Sequence, residues 1–196
     1  MNQLFKIQKA IKFATKTHEI YQKQKRKGKD VAYITHPLTV GIILAIAGAN
    51  EDVICAGILH DTIEDSIEER KVDLKMIEDF FGENIAKLVL ALTEEDKSLP
   101  WEERKRIARE HIKNFSNDAI LVKSADIIAN TRELIEDYKK DGEEIFIRFN
   151  APKEKIIKNY LETIEALIKK WPENPLIEEL NLISKELYRI DNASLL

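Results

Sequence analysis

An aspartate in the middle of an apolar helix is a strong constraint, and this chain has one. Asp126 interrupts "AILVKSADIIAN", residues 119–130, a stretch otherwise dominated by aliphatic side chains. A carboxylate buried without a partner costs several kcal/mol. Whatever fold the chain adopts must therefore bring compensating groups to Asp126. Two other apolar segments are bounded in the same way. "LTVGIILAIAGA" starts directly after His36 and Pro37, and "VICAGIL" runs into His60 and Asp61, with Glu64 and Asp65 in the following turn. Side chains three or four apart share a helical face, so His60 stacks with Glu64, Asp61 with Asp65, and Asp126 with Asn130; Lys123 lies one turn before Asp126. The three segments make sense together if His36, His60, Asp61 and Asp126 converge.

Two imidazoles and two carboxylates form a mixed nitrogen and oxygen donor set. Such a set suits a divalent transition metal rather than magnesium or calcium. Positions left open for water would make the site catalytic rather than structural. Taken singly, each residue has a plainer explanation. A helix-end histidine is more often a hydrogen-bonded core residue or a cap, Asp126 could be a satisfied buried acid, and an "HD" dipeptide is weak evidence. The specificity lies in the full set. His18 reads as structural or at a pocket edge, and His111, in "REHIKNF", as solvated.

Helical periodicity runs through the whole chain. Leu4, Ile7, Ile11 and Ala14 begin it, and helices are expected over 38–48, 52–64, 73–82, 83–97, 101–115, 119–140, 153–171 and 176–188. Asn50 is a plausible cap for the third helix, and Asn117 or Asp118 for the long one. β-branched runs bounded by turns are missing. The expectation is an all-α bundle of roughly nine helices, one domain over 1–196 with a core at about 5–165 and the C-terminal helices of 152–190 packed on it.

Composition narrows the setting. Of 196 residues, 44% are hydrophobic and 34% charged, and the formal net charge of −4 argues against a general nucleic-acid binder. The lysine-bearing N-terminus does not read as a signal peptide, and no apolar stretch reaches the ~18 residues of a membrane span. A cytoplasmic protein is expected, with neither nucleic acid nor membrane as partner and with its oligomeric state open. The single cysteine, Cys55, reads as a small buried hydrophobe. The basic run "KQKRKGK", residues 23–29, would by itself be a solvated loop, but it leads straight to His36. Beside a metal site, those cations would serve a polyanionic substrate.

The stretches "HPLTV", "GILHDTIEDS" and "VKSADIIANTR" resemble the HD-domain metal-dependent phosphohydrolases. Within them the chain is most similar to the alarmone hydrolases: the hydrolase domain of Rel/Spo-type enzymes and its small stand-alone relatives. The similarity takes in "KRKGKDVAYITHP", "LTEEDK" and "WEERK". It implies an HD-domain helical bundle in which His36, His60, Asp61 and Asp126 bind one ion, typically Mn2+, and Glu64 and Asp65 handle the attacking water. It also implies that Arg26 and Lys27 contact the nucleotide and that Asn130 and Arg132 match an "N-x-R" following the metal aspartate; Lys123 joins them as an expected substrate contact. The activity implied is removal of the 3′-pyrophosphate from (p)ppGpp.

Against relatives, the spacing between His18 and His36 is slightly stretched. Ile127 stands where Lys or Arg is common, and Ala32 where proline is usual. Two alternatives therefore stay open. One is the same metal chemistry on another nucleotide or cofactor phosphate, such as a deoxynucleoside monophosphate, NADPH or an adenine alarmone. The other is a non-catalytic nucleotide sensor. Arg148 and Tyr160 are further candidates for a pocket wall.

Overall fold

The computed structural model describes residues 3–94, 96 and 98–193, without the side chain of Gln3. Glu95 and Lys97 of "LTEEDK" and the last three residues of "ELYRIDNASLL" lie outside them. Among the described residues there is no strand, only one isolated bridge between Lys25 and Ala32. The helices are α1 (Gln3–Thr15), α2 (Thr35–Ile46), α3 (Glu51–Leu59), α4 (Thr62–Asp65), α5 (Leu74–Phe81), α6 (Glu83–Leu92), α7 (Trp101–His111), α8 (Asn117–Asp141), α9 (Lys153–Lys170) and α10 (Ile177–Asn192). A π-helical turn, Lys16–Tyr21, extends α1, and 3-10 turns occupy Glu68–Arg70, Ile112–Asn114 and Gly142–Arg148. The all-α expectation holds.

The roughly nine helices expected are there among the described residues, with the segment 52–64 divided into α3 and the four-residue α4. α3 ends at Leu59 and α4 starts at Thr62. The His60 imidazole takes the Gly57 carbonyl at 2.7 Å, and the Thr62 hydroxyl donates to the Leu59 carbonyl at 2.7 Å. Both bonds engage carbonyls of the last turn of α3 at the point where the helix divides. The break falls on His60 and Asp61, so both can turn inward, whereas consecutive residues of an intact helix point about 100° apart. Other boundaries shift less. α6 stops at Leu92, since Thr93 adopts an extended conformation and turns its hydroxyl back to the Val89 carbonyl. α7 tightens into the 3-10 turn at Ile112.

Asn50 caps α3 as expected, accepting from the Val53 amide at 3.1 Å. The cap of α8 is Ser116, which accepts from the Ala119 amide at 3.2 Å, rather than Asn117 or Asp118. Asn117 is already the first helical residue, and Asp118 sits in the first turn, where the helix dipole favours an acid. Burial pushes the Cys55 thiol up to about 12, as suits an inert core residue.

Two apolar clusters meet along α8. One packs α1, α2, α3, α5 and α6 on the first half of α8, through Leu44, Leu59, Ile77, Ile85 and Val122. The other packs α9 and α10 along the same helix from Ile120 to Ile135, through Ile127, Ile157, Leu167, Leu180 and Ile183. Ile43, Phe115, Trp171 and Leu176 touch both. No helix of the described residues is long and apolar enough to cross a membrane.

The α2–α3 contact is close, and it depends on Gly57. A Cβ there would lie 2.3 Å from Leu44 Cδ1 and 3.1 Å from Val40 Cγ1, and both residues are fully buried. Gly57→Ala is expected to overpack this contact by about 1–3 kcal/mol, against a helix-propensity gain of about 1 kcal/mol. Urea unfolding of the metal-free protein should show a lower midpoint than wild type. A midpoint at or above wild type would mean that α2 can move away freely.

Candidate active site

Three backbone elements deliver the polar groups that the sequence places in apolar surroundings. α2 carries His36 in its first turn, the α3–α4 break carries His60 and Asp61, and α8 carries Asp126. His36, His60 and Asp126 are buried and present one ligand atom each, all within 4.8 Å of one another. His36 Nε2 is 3.3 Å from Asp126 Oδ1, and His60 Nε2 is 3.8 Å from the same oxygen. Asp61 approaches from the other side, its Oδ2 lying 3.0 Å from His60 Nε2 and 3.8 Å from His36 Nε2. The two imidazole rings meet nearly edge to face with centroids 5.3 Å apart.

The cluster has the chemistry of a metal site. Nδ1–H of His60 donates to the Gly57 carbonyl, which turns the buried Nε2 toward Asp61 and Asp126. Fixing the tautomer through a backbone carbonyl is how metal-ligating histidines are oriented. Burial disfavours charge on His60, but Asp61 and Asp126 hold its pKa up at about 9. Burial likewise opposes charge on the two acids, while His60 and His36 keep Asp61 below the usual carboxylate range and Lys123 and His36 do so for Asp126. The carboxylates that raise the His60 pKa mark a place for positive charge, and an ion bound there would displace the His60 Nε2 proton and take the freed nitrogen as a donor.

Asp126 has further support from its own helix. Lys123 Nζ donates to Oδ2 at 2.8 Å and Asn130 Nδ2 to Oδ1 at 2.7 Å. An ionised carboxylate has about four acceptor sites, so these bonds leave lone pairs on the side of the histidines. Asn130 is held in turn by Arg26, whose Nη2 donates to Asn130 Oδ1 at 2.8 Å while Nε donates to Glu133 at 2.9 Å. Arg26 thus braces α8. Lys27, expected beside it as a nucleotide contact, has no ion-pair partner among the described residues; its ammonium lies 5.5 Å from the centre of the Phe149 ring. Burial and the nearby Lys105 push its pKa down, as expected where cations gather around a place for an anion.

A cavity of about 230 Å³ opens over Asp126, walled by Lys105, Arg109, Lys123, Asn130, Ile127 and Tyr160. An adjoining one of about 410 Å³ is walled by Arg26, Lys27, Lys29, Tyr33 and Arg148. Asn130, Phe149 and Tyr160 belong to both, so together they form one basic cleft with Asp126 in its wall. The expected wall residues Arg148 and Tyr160 are there. Gly28, at φ +71°, lets the basic loop turn directly against Arg148; a Cβ would lie 2.7 Å from Arg148 Cδ.

One expected substrate contact falls elsewhere. Arg132 lies on the outer side of α8, paired with Glu179 of α10 and 4.0 Å from Glu186. It follows Asn130 by two residues, about 200° around the helix, so the two cannot share a face. Glu64 and Asp65 stand on α4. Glu64 Oε2 accepts from the Glu94 amide at 3.3 Å, and Asp65 Oδ2 accepts from Gln24 Nε2 at 2.9 Å. Three residues near the site escaped the sequence reading or were undervalued there. Tyr33 donates to Asp61 Oδ2 at 2.5 Å, Gln24 bonds Asp65, and His18, fully buried, bonds Gln24 at 2.9 Å. Tyr33 alone left a usable signal, since it stands three residues before His36. The π turn that holds His18 adds residues to a helical turn, which accords with the stretched spacing to His36.

The HD-domain family model matches residues 10–156. A guanosine-3′,5′-bis(diphosphate) 3′-pyrophosphohydrolase, MESH1, of Xenopus tropicalis is 38% identical over 130 residues, covering 65% of this chain and 69% of the relative. Its human namesake is 36% identical over 127 residues, covering 64% and 67%. The enzyme of the same catalytic name from Aquifex aeolicus is 36% identical over 130 residues, 65% of this chain but only 18% of that longer protein. Among solved structures, a metazoan ortholog of SpoT that hydrolyzes ppGpp superposes with a TM-score of 0.72 at 25% identity, covering 97% of each chain. A Listeria monocytogenes protein gives 0.70 at 25% identity over 80% of this chain and 99% of its own. With its His and Asp cluster inside the matched region, the chain belongs to the HD-domain family.

Proposed function

We propose that this protein is a metal-dependent guanosine 3′,5′-bis(diphosphate) 3′-pyrophosphohydrolase that converts (p)ppGpp to GDP or GTP plus pyrophosphate. The observation that carries it is the convergence of His36, His60 and Asp126 within 4.8 Å, with Asp126 also in the wall of a basic cleft. Relatives named for this reaction support the substrate. The catalytic unit is taken as about 5–165, with 152–190 packed on it and the whole of 1–196 acting as one cytoplasmic domain.

His36, His60, Asp61 and Asp126 would hold one ion, with Mn2+ the favoured identity and other divalent transition metals able to serve. When bound, such an ion supplies Lewis acidity, yielding a nucleophile from water near neutral pH and stabilising charge that builds on the phosphoryl oxygens. Glu64 and Asp65 orient the attacking water and accept its proton. Lys27 and Lys123, with Lys105 from α7, offset the charge of the substrate phosphates, and Asn130 meets the nucleotide at the junction of the two cavities. Arg26 contributes mainly by holding Asn130 and Glu133.

A second substrate reading has one observation in its favour. Ile127 gives the cavity an apolar wall where relatives commonly carry a cation. Another nucleotide or cofactor phosphate, carrying less charge than an alarmone, would suit that wall. Turnover of ppGpp, a deoxynucleoside monophosphate, NADPH and an adenine alarmone, measured side by side with Mn2+, separates the two; ppGpp is expected to give the highest kcat/KM.

Elemental analysis should find about one transition ion per chain. Asp61→Ala and Asp126→Ala are expected to lose both the ion and the activity, and full activity without bound metal would overturn the assignment. Glu64→Gln and Asp65→Asn should keep the ion and lower kcat by about 10²-fold or more. Lys27→Ala should raise KM roughly tenfold, the scale of one charged hydrogen bond, with kcat and metal content unchanged. Arg26→Ala should instead depress kcat as well, because Asn130 and Asp126 lose their brace. If Lys27→Ala left KM unmoved, the basic loop would have no part in binding substrate.

A further inference from the structure

We propose that His18 and Gln24 are positioning residues that fix the orientation of the Asp65 carboxylate. On the reading above, Asp65 is one of the two acids that handle the attacking water, and it stands on a helix of only four residues. A restraint comes from a different part of the chain. Gln24 Nε2 donates to Asp65 Oδ2 at 2.9 Å, and Gln24 Oε1 lies 2.9 Å from His18 Nδ1.

The direction of this relay follows from elementary donor and acceptor rules. An ionised carboxylate can only accept, so the Gln24 amide must turn its NH2 to Asp65 and its oxygen to His18. His18 Nδ1 therefore carries a hydrogen. Its Nε2, buried, has no hydrogen-bond partner among the described residues that would draw the proton to the other side of the ring. Were the proton on Nε2, the amide would have to present its nitrogen to His18 and its oxygen to the carboxylate, and the bond to Asp65 would become a repulsion.

Both relay residues are immobilised. His18 is fully buried in the π turn, and its ring packs on Tyr33 with centroids 5.1 Å apart. Gln24 is pinned through its backbone on both sides, its amide donating to the His18 carbonyl at 2.9 Å and its carbonyl accepting from the Tyr33 amide at 2.9 Å. Tyr33 in turn donates to Asp61. One buried assembly thus secures Asp65 through Gln24 and Asp61 through Tyr33. Single π-helical turns inside helices are frequent at functional sites, and here the turn brings His18 under the loop that carries Gln24.

Steady-state kinetics on ppGpp with Mn2+, together with metal content, tests this on four variants of the full chain. Gln24→Glu keeps the acceptor for His18 but sets a carboxylate against Asp65. Its kcat should fall about 10–100-fold, the scale of a misplaced reacting group, with KM and metal content unchanged. His18→Leu removes the donor that orients the amide and should fall similarly. His18→Asn, whose amide nitrogen can occupy the place of Nδ1, should recover most of that loss, which a purely space-filling role for His18 would not allow. Asp65→Asn should fall at least as far as Gln24→Glu. Wild-type kcat in Asp65→Asn would remove the role given to Asp65 and the relay with it. A fall in Asp65→Asn alongside wild-type kcat in Gln24→Glu would sink the relay alone. If His18→Leu fails to fold, Gln24→Glu still decides the matter, and loss of metal from Gln24→Glu would contradict the proposal by moving its effect to the ion.

Discussion

The charge balance around Asp126 is the constraint on which the rest of this structure depends. Its carboxylate sits inside α8 between two apolar clusters, at a depth set by the packing of both. Lys123, Asn130 and the two imidazoles meet it there, each from a definite direction. A buried polar network is costly when only partly satisfied and rigid when complete. The helices that bring His36 and His60 to this point are therefore placed by polar demand as well as by their apolar faces. The tight α2–α3 contact through Gly57 serves both ends, because the carbonyl of the same residue orients His60.

Much of this was legible in the residues themselves. Period and punctuation locate the helices, and an acid among aliphatic neighbours marks Asp126 as a residue in need of partners. The break between α3 and α4 was hidden, since "CAGILHDTIED" has the composition of one helix, with neither glycine nor proline at the point where it divides. Arg132 shows a different limit. Matching a motif by order along the chain placed it with Asn130, whereas the helical turn places it against α10. Gln24 was illegible for a third reason. Its contact with Asp65 joins residues far apart in sequence, and periodicity says which face a residue occupies without saying which loop will cross it.

The basic loop illustrates how neighbouring cations divide tasks. Arg26 and Lys27 read alike in a run of positive charge, but the planar guanidinium suits simultaneous bonds to Asn130 and Glu133, and Arg26 is consumed in that structural role. The flexible ammonium of Lys27 stays at the cleft beside Phe149. Lys29 bridges Glu133 and Asp137, at 2.7 and 2.6 Å, and fastens the loop to α8 a turn further on. One side of the loop thus anchors it to the helix that bears Asp126, and the other faces the place where an anion would lie.

The site also divides by rigidity. His36, His60 and Asp126 come from long or deeply packed helices, and their separation is fixed by the core. Glu64 and Asp65 stand on α4, which at four residues is far too short to persist by its own hydrogen bonds. Its geometry is borrowed from tertiary contacts: the Thr62 hydroxyl on Leu59, the Glu94 amide on Glu64 and the Gln24 amide on Asp65. An acid that must take a proton from water tolerates little displacement. On the proposed function, the three donors placed by the core hold an ion without these tethers, whereas proton transfer at Glu64 and Asp65 needs them.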